Sequence, residues 1–230
     1  MPYTNYTSML KETKELALLI ESGLLDKIEI AAFSMNSMIP YMVVHLRETL
    51  LHRIAALATS AVELFEQKRE IPAMLLTRGV METFALMFEL HGMIKTFLSN
   101  YNEMDFGTSL NQLIKGDRLP DDIQAKNNAK NILTLIEHVD KEFPGFKQGY
   151  DFLSEYAHPN WLGVSAAYGK INHDSFELLL GRKEEHDFTG GITELNNSLI
   201  GCHHFYNDMA EMIYTINDYF EGNEGGRHNP

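Results

Sequence analysis

Cysteine is almost absent from this 230-residue chain: Cys202 stands alone, so no internal disulfide framework is available. Long apolar runs are missing too. The longest stretch without a charged or histidine side chain, residues 30–44, contains Asn36, Pro40 and two serines. It falls short of the ~18 apolar residues that cross a bilayer. The opening Met-Pro-Tyr-Thr-Asn has no basic segment followed by an apolar one, so no secretion signal is expected and the compartment reads as cytoplasmic. Basic clusters are lacking as well. With 19 basic against 32 acidic residues the net charge is −13, which repels nucleic-acid phosphates and anionic lipid at long range. Glycine-rich nucleotide loops, a Gly-x-Ser-x-Gly elbow and paired metal-ligand motifs are absent.

What remains is a hydrophobic chain, 44 % apolar, written almost throughout at helical period. Residues 7–22 form the first expected helix, ended by Gly23. Asp26 is positioned to cap a second that runs to Pro40, where the missing N–H should kink or break it. Residues 41–69 follow as a long helix rich in Leu and Ala. Pro72 then suits the first turn of a helix over residues 71–100. That helix is apolar nearly all round, which places it at the centre of a bundle. Its charges, Arg78, Glu82 and Glu89, fall on one narrow stripe. Gly79 costs helix stability, so a close neighbour is expected there.

A short helix and loop are expected over residues 105–120. A further helix should start at Asp121 and Asp122, bury Ala125, Ala129, Ile132, Ile136 and Val139, and end at Pro144 and Gly145. Residues 150–158 read as a short helix stopped by Pro159. Residues 164–170 and 175–180 then flank an Asn- and Asp-rich turn at 171–174, a β-hairpin. The last helix carries Ile192, Leu195, Leu199, Cys202, Tyr206, Met209, Ile213, Ile216 and Phe220 at alternating spacings of three and four, a four-heptad seam. Residues 221–230 are polar and glycine-rich and should be disordered. The expected fold is an all-α bundle of six to seven helices in one domain over residues 1–220, with one small hairpin at about 164–181. The seam and the apolar central helix together suggest surfaces beyond one core, and so a homodimer.

Candidate chemistry concentrates around residue 158. Ser154 and His158 are four apart on one helix face, and His158 ends that helix with Asn160 beside it. A helix C-terminus favours a protonated imidazole, which suits acid/base work or a phosphate. The plainer reading is that His158 caps carbonyls and Ser154 bonds back to its own helix. Arg78 and Glu82 are likewise either a functional pair or a structural i,i+4 ion pair. Metal binding is not expected: His45 and His52 are ~10 Å apart in helix rise, and His203 and His204 diverge. No cofactor is implied. Cys202, on the seam, reads as a small core residue.

The string Tyr-Asp-Phe-Leu-Ser-Glu-Tyr-Ala-His-Pro-Asn at residues 150–160, with Arg-Gly-Val-Met-Glu-Thr at 78–83, resembles a family of helical bacterial proteins. That family is related in outline to the HEPN superfamily. The resemblance implies a polar cluster of Arg78, Glu82, Ser154 and His158, with Asn160 adjacent. It implies a binding or regulatory role toward a nucleotide, RNA, a protein or a second copy. Superfamily ribonucleases use Arg-x(4–6)-His, and no arginine stands four to six residues before His158. A ribonuclease would therefore need His158 as acid/base, Arg78 as phosphate clamp and Glu82 beside it. The literal match Arg47…His52 is of a kind chance supplies in a chain with ten histidines.

Overall fold

The computed structural model describes residues 2–115, 130–181 and 189–222. Seven α-helices occur among them: α1 (Pro2–Ser22), α2 (Ile39–Glu66), α3 (Glu70–Asn100), α4 (Glu103–Lys115), α5 (Ile132–Glu142), α6 (Phe146–Ala157) and α7 (Thr189–Gly222). Strands β1 (Gly169–Asn172) and β2 (Glu177–Leu180) pair antiparallel just before α7. The all-α bundle with one small hairpin expected from the sequence is the observed fold.

Helix α3 is the hub. It packs against α2, α4, α5, α6 and α7, while α1 packs on α2 and α7. By length and composition α3 could cross a membrane, but half of its most apolar window is buried in this bundle. Its all-round apolarity is what five neighbours demand. Gly79 behaves as expected of a packed helical glycine: an added Cβ would stand 3.3 Å from Leu57 of α2. The α7 seam is buried along its length except at Tyr206, which is half-buried and makes polar contacts.

Three expectations are corrected. Asp26 does not open a helix to Pro40; residues 23–38 are irregular, with one 3-10 turn at Ile30–Ala32. Ser34 and Ser37 side chains accept from the Asn36 and Ile39 N–H groups, and hydroxyls that bond local backbone compete with helix. The far end of α7 holds the same stretch: Asn217 accepts from the Ser34 N–H, and Asn36 donates to the Phe220 carbonyl. Pro40 instead lies in the first turn of α2, where its missing N–H costs nothing.

The fifth helix starts at Ile132, with the Asn131 side chain accepting from the Leu133 N–H as its cap. The start expected at Asp121 and Asp122, and the face positions Ala125 and Ala129, lie outside the described residues. So do the loop at 116–120 and residues 223–230 of the tail; Glu221 and Gly222 extend α7. Finally, only part of residues 164–170 is strand. Trp161–Ala166 winds into a π-type turn because Asn160 Oδ1 caps the Gly163 N–H. The hairpin turn is accordingly later than expected. Asn172 Oδ1 accepts from the Asp174 and Ser175 N–H groups, an Asx-type turn.

Candidate functional site

The polar stripe of α3 meets α6. Phe146, Tyr150 and Leu153 recur at helical spacing on α6, so their burial brings the Tyr150 hydroxyl down onto the stripe. Arg78 Nη2 donates to that hydroxyl at 2.7 Å, and the hydroxyl donates to Glu82 Oε1 at 2.9 Å. Arg78 and Glu82 also pair directly at 3.2 Å. The guanidinium lies 5.0 Å from the Tyr150 ring centroid, within cation–π range. Burial, more than either charge, pushes the Tyr150 phenol above its ordinary pKa. Arg78 and Glu82 are thus together, as their spacing implied. Tyr150, inside the same sequence string, is the residue the reading missed. Arg78 Nε is buried without an acceptor among the described residues.

The other candidates sit elsewhere on α6. Ser154 Oγ donates to the Tyr150 carbonyl one turn back, at 2.8 Å. His158 is exposed and caps α6 through its backbone, which donates to the Ser154 carbonyl. Its ring has no hydrogen bond among the described residues. Eight residues, roughly 12 Å of helix rise, separate it from Tyr150. Asn160 is occupied at both ends of its amide: Nδ2 donates to Glu155 at 2.7 Å and Oδ1 caps the π-type turn.

Two further polar clusters escaped the sequence reading. Glu89 receives Lys130 at 2.5 Å and His138 at 3.0 Å. Burial would raise its pKa, but these two partners outweigh it and hold the carboxyl low. Deeper still, Arg47 and Glu48 pair at 2.6 Å with side chains only 11 % and 3 % exposed. Arg47 also donates twice to the Tyr206 carbonyl and lies 3.6 Å above that ring, while the Tyr206 hydroxyl donates to Glu48. Burial pushes the Tyr206 phenol to about 12. Arg47 and His52, the literal Arg-x(4)-His match, have separate tasks, since the His52 ring faces the Leu25 carbonyl.

No three His, Cys, Asp or Glu side chains among the described residues stand close enough to share a metal ion. Cys202 is fully buried beside Met87, its thiol raised to about 12 by burial, which makes it inert packing.

Two concave sites face outward. One, of about 430 Å³, lies between α3 and α4 and includes Glu89 and Lys130. The other, of about 480 Å³, lies between the α5–α6 turn, Phe84 of α3 and the outer face of α7. The hairpin region forms a third, convex feature. Trp161, Phe176 and Leu180 are 71 %, 92 % and 76 % exposed, with Val164, Ile171 and Leu178 between them also open.

Comparison with protein-family models, with curated proteins and with solved structures finds no match to this chain. The function is therefore argued from this geometry.

Proposed function

We propose that the chain is a non-catalytic, HEPN-like binding or regulatory protein of the cytoplasm that acts as a homodimer joined through its hairpin. The observation that carries this reading is the apolar hairpin itself. Two strands alone are marginal in water, and here both faces expose large apolar side chains. Among the described residues β2 pairs only with β1, which leaves the outer backbone edge of β2 open. A second copy fits this surface well. From Leu178 to Gly181 there is no charge, so two β2 edges related by a two-fold axis meet without opposed like charges.

The ribonuclease alternative draws little from the site. Its proposed phosphate clamp, Arg78, is engaged by Tyr150 and Glu82, about two helical turns from the end of α6 where His158 sits. The acidic net charge adds long-range repulsion of RNA.

Light scattering at micromolar concentration tests the reading. The native chain should run at twice the chain mass, and Leu178→Ser with Leu180→Ser should run as a folded monomer. A native monomer would reject the dimer. Metal-free RNA cleavage that is lost in His158→Ala, with unchanged melting, would restore the enzyme.

A further inference from the structure

The groove on the outer face of α7 contains a carboxylate, Glu194, without a partner among the described residues. Four phenylalanine rings, Phe84, Phe143, Phe146 and Phe205, line it. They hold one another edge-on or tilted, with centroids 5.7–6.1 Å apart for the Phe84–Phe146, Phe84–Phe205 and Phe143–Phe205 pairs. This is a pre-formed aromatic wall. Glu194 of α7 joins the lining, half-buried, and its carboxylate has no hydrogen bond or ion pair among the described residues. Burial raises its pKa, so its charge is poorly compensated in the unliganded protein.

The seat of that carboxylate is built into α6. Gly149 faces Glu194, and any Cβ at 149 would fall onto the carboxylate. A glycine in a helix interior costs about 1 kcal/mol relative to alanine, and Gly149 in the first turn of α6 costs at most that. A structural purpose would be served at no such cost by an apolar side chain at 194 and an alanine at 149. The close approach of Gly149 and the lack of a partner among the described residues leave this carboxylate open to a positive charge. His204 stands at the opposite end, ten residues or roughly 15 Å of helix rise away, and Glu194 is the one acid among the lining residues.

We infer that this groove binds a small organic cation, a primary ammonium on an apolar or aromatic body, with the ammonium on Glu194 and the body against the phenylalanines. The chemistry follows from the parts. A carboxylate in a low-dielectric wall attracts an ammonium more strongly than water-exposed acids do. Neighbouring ring faces add cation–π attraction. The volume of about 480 Å³ falls within the small-molecule range of roughly 300–1,000 Å³. The acidic protein raises the local concentration of cations around it.

This site gives the binding reading a ligand class and is independent of self-association. The test titrates the full chain with phenylbutylamine and with its uncharged isostere phenylbutanol, followed by calorimetry. The amine should bind about tenfold more tightly than the alcohol, the equivalent of about 1.4 kcal/mol. Glu194→Gln should abolish that preference while leaving the alcohol unchanged. Gly149→Ala should weaken the amine by displacing the acid. Phe143→Ala should weaken both ligands. Equal binding of amine and alcohol to the native chain, or no binding of either at millimolar concentration, would overturn the inference. A monomer that still prefers the amine retains this site and loses only the dimer.

Discussion

Glu48, packed from α2 onto α7, and Glu194, carried on α7 and facing α6, are both enclosed carboxylates, and the bundle treats them oppositely. Glu48 is almost fully enclosed, and it takes Arg47 and the Tyr206 hydroxyl as partners. Glu194 is less enclosed, yet no side chain among the described residues answers it, and a glycine of α6 faces it. The first arrangement closes a polar circuit inside an apolar core. The second leaves one open. Burial alone therefore does not separate the two acids; the partners found among the described residues do.

The largest expected effect comes from breaking the closed circuit. Glu48→Gln removes the counter-charge of a buried guanidinium and should cost about 3 kcal/mol. At roughly 2–4 °C per kcal/mol for a chain of this size, thermal melts should fall by ~6–12 °C. A loss within error would mean that Arg47 can reach water. Next is Tyr150→Phe, which leaves Arg78 and Glu82 their direct contact but removes the shared hydroxyl. A loss of about 1–2 kcal/mol in denaturant unfolding is expected. A neutral result would make that hydroxyl incidental.

Acid sharpens the comparison further. Burial lowers the His91 pKa despite Asp208 at 2.6 Å, which suits a neutral imidazole donating from Nε2. The unfolded chain then takes up that proton first, so stability falls as pH drops below about 6.5. Glu89, held low, adds a second loss below about 4.5. Glu194 runs the other way: its raised pKa means that its protonation favours the folded state as pH falls. Urea unfolding across pH 4–7 should show a net decline in the native chain. In Glu194→Gln, which lacks the opposing contribution, the decline should be slightly steeper. The difference is small because solvent reaches the group.

Much of the architecture was legible because it is periodic. The α7 seam and the apolar α3 could be placed from spacing alone, and Arg78–Glu82 from the i,i+4 rule. What failed depends on contacts across the chain. Residues 23–38 are pinned by Asn217 and Phe220, about 180 positions away, and the Asp26 cap signal carries no trace of that. Glu48 meets Tyr206 across 158 positions, so its circuit was invisible as well. Tyr150 was quoted for its neighbours rather than for its place on the buried stripe of α6. Glu194 carries no local signature at all. Gly149, which faces it, falls outside the helix expected over residues 150–158 and is helical only because α6 begins at Phe146.

Side-by-side melting of Glu48→Gln and Glu194→Gln at neutral pH tests the contrast most directly. The account predicts a clear loss for the first and an unchanged or raised midpoint for the second. If Glu194→Gln also melts several degrees lower, that carboxylate is already satisfied within the fold and is not waiting for a ligand.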